Sequence, residues 1–141
     1  MSPSQTSFSP RRAVCALDGL HGSVGAARDF TRAFLADAAE ALPASVLEDV
    51  LLVVSELVTN AVRHAPGPCA LDLTQDRDQV TIAVSDSFAA LPVPRRADLT
   101  SGTGGLGWHL LGDLARYVRV AARPDGKTIT AVLPRLLLAG V

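Results

Sequence analysis

No apolar stretch in this chain approaches the ~20 residues that a membrane-spanning helix needs. The Leu136-Leu137-Leu138 run is far shorter than that. No basic leader followed by an apolar segment opens the sequence, so a cytoplasmic location is expected. Strong charge of either sign is missing as well: 13 Lys and Arg stand against 14 Asp and Glu, a formal net charge of −1. That balance removes the electrostatic case for nucleic acid or an anionic membrane as partner. Cysteine is sparse. Cys15 and Cys69 lack the paired spacing of a zinc site or a redox motif, and both read as free thiols in a reducing compartment.

What is abundant is aliphatic residue. Hydrophobic types make up 48% of 141 residues, enough for one domain with a real core. A Ser- and Pro-rich tail is expected over residues 1–12, the domain over 13–134, and a C-terminal tail over 135–141. Residues 13–17 read as a strand and 24–39 as a helix, with Val24, Ala27, Phe30, Phe34, Leu35 and Ala38 on one face. A second helix is expected over 44–64, with Ser45 and Glu48 spaced as a capping box and Pro66-Gly67-Pro68 as a stop. Leu71 and Leu73, then Val80, Ile82 and Val84, alternate with polar residues about Asp76-Arg77-Asp78, the pattern of a hairpin ending at Asp86. Residues 87–103 hold two prolines and no periodicity, which suggests a functional loop. A short helix from Trp108 to Arg116 and a hairpin about Pro124-Asp125-Gly126 close the chain. The order β-α-α-β-β-loop-α-β-β implies an α+β fold, a two-layer sandwich with helices on one face of a mixed or antiparallel sheet.

The second helix carries the most informative feature. Glu56, Asn60 and His64 recur every four residues within an otherwise apolar helix, which aligns carboxylate, amide and imidazole along one face. Buried there without partners, each would cost on the order of 1–3 kcal/mol. A metal ion with phosphates would suit the stripe. A buried helix whose Glu and Asn bond neighbouring backbone reads equally well from these residues alone.

Three separated segments resemble the ATPase superfamily shared by gyrase, heat-shock chaperones, histidine kinases and mismatch-repair proteins. Residues 56–65 resemble its N-box. Val84-Ser85-Asp86 resembles the strand end with the adenine-binding aspartate, and residues 101–107 (Ser-Gly-Thr-Gly-Gly-Leu-Gly) resemble its second glycine box. Within the superfamily, Ser55-Glu56-Leu57-Val58-Thr59-Asn60-Ala61 and Gly126-Lys127-Thr128 look most like the stand-alone kinases related to anti-sigma-factor serine/threonine kinases.

That resemblance implies a Bergerat-type ATP-binding fold with ATP and Mg²⁺ as ligands. Asn60 would hold Mg²⁺ through its side-chain oxygen, and Glu56 would act as general base. Asp86 would accept from the adenine amino group, supported through water by Thr128. Gly102, Thr103, Gly104, Gly105, Leu106 and Gly107 would bring backbone N–H groups to the phosphates at a helix start. The implied partners are an anti-sigma-factor antagonist-like protein and a sigma factor, with a homodimer through the first strand and helix. The sequence departs from the family at Asp86-Ser87-Phe88-Ala89-Ala90, where both glycines of the first glycine box are gone. A nucleotide-sensing binding module without turnover is therefore the alternative function.

Overall fold

The computed structural model describes residues 10–37, 42–65, 67–86 and 111–135. Five strands and two long helices follow in the order β1 (Arg11–Leu17), α1 (Ser23–Ala36), α2 (Ala44–His64), β2 (Cys69–Gln75), β3 (Gln79–Asp86), β4 (Tyr117–Arg123) and β5 (Gly126–Pro134). The sheet runs β1-β2-β3-β5-β4, which makes β3 central. All four described ladders are antiparallel, so the sheet is not mixed.

Alternation in the strands decides which face is covered. In β3, Val80, Ile82 and Val84 are buried, while Thr81, Ala83 and Ser85 between them are half-buried. Leu71 and Leu73 of β2 and Ile129, Ala131 and Leu133 of β5 join them in one core. From above, α2 supplies Val50, Val53, Val54, Leu57 and Val58, all fully buried. Burying a side chain such as Leu57 contributes about 1.5–3 kcal/mol. β-Branched residues lower the intrinsic preference of α2 for a helix, so its packing against the sheet carries its stability.

The bounds of α2 fall where the prolines place them, but its start is built differently from expectation. Pro43 is the N-cap and no side chain caps the helix. Ser45 is already inside the first turn, so the capping box does not form; proline fixes φ at the cap position and the helix begins two residues earlier than a Ser45 cap would start it. α1 ends at Ala36, where the Asp37 N–H bonds to Ala33 O. Its start is fixed from within, since Ser23 Oγ accepts from Gly19 N at 3.1 Å and donates to Asp18 Oδ1 at 3.0 Å.

Gly19 shows why the turn after β1 needs glycine. Its φ is +80°, and a Cβ there would stand 1.9 Å from Gly67 O. The turn after β1 and the stop after α2 thus touch backbone to backbone. Opposite them, Arg11 ties β1 to its neighbours: it donates to Gln75 Oε1 and Phe34 O at 3.0 Å each, and its guanidinium stands 4.4 Å from the Phe34 ring centre. Residues 111–114 are helical, and Leu111 belongs to the core. No helix of the described residues is long and apolar enough to cross a membrane.

Candidate functional site

Two features carry the polar groups of the candidate site. The first is the polar stripe of α2. Glu56 and Asn60 are half-buried and His64 is exposed, on the helix face that neither α1 nor the sheet fully covers. The stripe is thus wetter than a buried helix would make it, and its groups meet water without the desolvation cost that burial imposes. Among the described residues neither Glu56 nor Asn60 has a side-chain hydrogen bond. One residue before Glu56, Ser55 Oγ accepts from Arg28 Nη1 at 2.7 Å and donates to Leu51 O at 2.8 Å. Arg28 therefore pins α1 to α2 beside Glu56.

The second feature is the end of β3. Alternation turns Asp86 to the helix-covered face, the same face as Val84, and leaves it 4% exposed. A buried carboxylate needs partners, and the β4–β5 hairpin supplies them. Lys127 Nζ lies 2.7 Å from Asp86 Oδ2, and the Lys127 backbone N–H donates to Oδ1 at 3.2 Å. Arg123 Nη2 donates to the Asp86 carbonyl at 2.7 Å, while Arg123 Nε donates to Asp125 Oδ1 at 3.2 Å. Gly126, with φ +150°, brings its α-carbon so close that a Cβ would stand 2.2 Å from Asp86 O. Side chain and carbonyl of one residue are thereby held by three residues of a single hairpin.

Thr128 lies one residue beyond Lys127 on β5. The register pairs Ser85 with Thr128, and their hydroxyl oxygens are 2.9 Å apart. Arg123 Nη1 also donates to Thr128. Neighbouring strand residues point to opposite faces, so Thr128 faces away from the Asp86 carboxylate and Lys127 faces it. Cys69 is the register partner of Asp86 on the other side, and burial, followed by the Asp86 charge, pushes its thiol up from the ordinary value. Cys15 and Cys69 are both free thiols.

Gly102, Thr103, Gly104, Gly105, Leu106 and Gly107, as well as the expected loop over 87–103, lie outside the described residues. Arg28, Arg123 and Lys127 are the polar residues that sequence reasoning missed. Only the strand register, unreadable before folding, brings the last two to Asp86.

The donor set suits Mg²⁺. The ion takes one or two protein oxygens and keeps several waters, and Asn60 offers a half-buried amide oxygen beside the Glu56 carboxylate. Among the described residues no group of three or more His, Cys, Asp or Glu could hold a metal by itself. An ion held partly by phosphates needs no such group.

Among solved structures, the chain is similar to the RsbU and RsbW domains of Rv1364c from Mycobacterium tuberculosis. That match has 22% identity and a TM-score of 0.62, over 90% of this chain and 34% of that one. It is also similar to the histidine kinase domain of the Erythrobacter litoralis EL346 blue-light activated histidine kinase, with 18% identity and a TM-score of 0.52, over 81% of this chain and 60% of that one. The chain thus spans about a third of the first protein and three fifths of the second, and what it shares with them is the fold. No curated protein sequence matches it significantly. The model of the histidine kinase-like ATPase domain matches residues 19–133, nearly the whole sandwich from the turn after β1 to the last strand, and the chain belongs to that family.

Proposed function

We propose that this chain binds Mg·ATP and transfers the γ-phosphoryl group to a serine or threonine hydroxyl of a small antagonist protein. The observation that carries the reading is the half-exposed Glu56/Asn60 pair on α2, in a fold whose central strand β3 ends on the buried Asp86. Asp86 accepts from the base, Asn60 holds Mg²⁺, and Glu56 takes the proton of the attacking hydroxyl. When bound, the ion supplies charge neutralisation on the phosphates. The hydroxyl oxygen bonds to the γ-phosphorus as the bond to the bridging oxygen breaks, and ADP leaves. Little covalent chemistry is asked of the protein, because phosphoryl transfer is mostly positioning and electrostatics.

Likeness to a chain that contains an RsbW domain supports a regulatory role, with an anti-sigma-factor antagonist-like protein as substrate and a sigma factor as the alternative partner. A homodimer through β1 and α1 and a cytoplasmic location belong to the same reading. A nucleotide-sensing module without turnover is the second reading, favoured by the missing glycines after Asp86. Incubation with γ-labelled ATP and candidate antagonists separates them. Label on a partner serine or threonine supports the kinase. Bound, unreacted ATP supports the module, and free phosphate alone overturns both in favour of a hydrolase.

A further inference from the structure

Lys127 has no part in the proposed transfer, yet it is the residue that meets the base-binding carboxylate. It follows the last pair of the β3–β5 ladder, Ser85 with Thr128, by one residue, and its ammonium lies 2.7 Å from Asp86 Oδ2. The two side chains are 11% and 4% exposed, so the ammonium is the outer member of the pair. The arrangement is tightly held. Gly126 cannot carry a Cβ without meeting Asp86 O, and Arg123 fixes the same carbonyl from β4.

A carboxylate alone offers a nucleobase only acceptors. It suits the exocyclic amine of adenine and repels the O6 of a 6-oxopurine. An ammonium offers only donors, three of them, of which one reaches Asp86. Side by side, the two present a donor next to an acceptor. Adenine can meet that pattern with N1 on the ammonium and its amine on the carboxylate. A 6-oxopurine meets it with the order along its edge reversed, O6 on the ammonium and N1–H on the carboxylate, which requires the base to be turned over in the site. The element that would reject a 6-oxopurine, an acceptor facing O6, is covered by a cation.

We propose that Lys127 is a specificity-determining residue of the base site, and that it makes this chain accept 6-oxopurine nucleoside triphosphates alongside ATP. The inference rests on the reading of Asp86 as the base-binding carboxylate. Thr128, on the opposite face with Ser85, takes no part in the choice.

Titration calorimetry of the full chain with ATP and with ITP, each with Mg²⁺, tests this. ITP isolates the two contacts because inosine carries O6 and N1–H without the guanine amine. Wild-type affinities for the two are expected to agree within roughly tenfold, the range of one hydrogen bond. Lys127→Met should weaken ITP by about tenfold more than ATP, because a buried acceptor then faces O6 and water can still serve adenine N1. Lys127→Arg should keep ITP binding. ITP binding more than about a hundredfold weaker than ATP in the wild type overturns the proposal even if Lys127→Met fails to fold. So does Lys127→Met shifting both nucleotides equally, or tightening both, which would make Lys127 a plug over Asp86. If neither nucleotide binds the wild type, the reading of Asp86 falls with it; ATP binding with ITP rejected sinks the inference alone.

Discussion

The α-carbon of Gly126 lies against the main-chain carbonyl of Asp86, with room for no further atom: a Cβ would stand 2.2 Å from that oxygen. Gly126 also has φ +150°, a conformation that side chains strain. Gly126→Ala is therefore expected to destabilise the domain by about 1–3 kcal/mol and to displace Lys127 from Asp86. Denaturant unfolding measures the first effect and nucleotide titration the second. Wild-type values in both would mean that the hairpin does not set the position of the carboxylate.

Asn60→Ala is expected to abolish the Mg²⁺ dependence of ATP binding. Asn60 is half-buried with no side-chain hydrogen bond among the described residues, so its removal should leave the melting temperature nearly unchanged. Calorimetry with Mg²⁺ and with chelator reads the difference. An Asn60→Ala protein that still binds ATP more tightly with Mg²⁺ would remove the ion from this amide.

Glu56→Gln is expected to lower phosphoryl transfer by about 10²–10⁴-fold while ATP affinity stays near the wild-type value, as befits a group that acts in the transition state. The amide keeps the size of the side chain and removes its basicity. Single-turnover transfer to a labelled partner checks it, and unchanged turnover would reassign the general base.

Cys69 should be the slower of the two thiols. It is buried at 6% exposure, and burial followed by the nearby Asp86 charge raises its pKa above the ordinary 9.0. Mass spectrometry after iodoacetamide at pH 8 should find Cys15 modified first. Sign and window follow from the same shift. The folded state prefers the neutral thiol, so the contribution of Cys69 to stability is full below the unfolded value and is lost as pH rises through the folded one. The alkaline fall in melting temperature should therefore be shallower in Cys69→Ala.

How much could be read from the chain divides along local and non-local lines. The span of α2 was legible because Pro43 and Pro66-Gly67-Pro68 bracket an unbroken aliphatic run, and these are local signals. The alternation in β2 and β3 was legible for the same reason. The antiparallel character of every ladder was not, since it depends on how β5 returns to lie beside β3. The site divides in the same way. The spacing of Glu56 and Asn60 is visible in one helix, whereas the meeting of Asp86 with Lys127 and Arg123 spans about forty residues and depends on register. A shift of one residue in that register would exchange Lys127 for Thr128, which is the difference between the expected neighbour of Asp86 and the observed one.

β3 is hydrogen-bonded to β2 from Val80 to Asp86 and to β5 from Gln79 to Ser85, so neither of its edges faces solvent. Fraying of an open sheet proceeds inward from its outermost strands, here β1 and β4. The strand that carries Asp86 is thus the last to exchange its amides, and its carboxylate keeps its bearing through openings that would scatter a loop-borne contact. Deuterium should enter β1 and β4 first and β3 last. The position of the Asp86 carboxylate is thereby coupled to global unfolding and insulated from the partial openings that precede it.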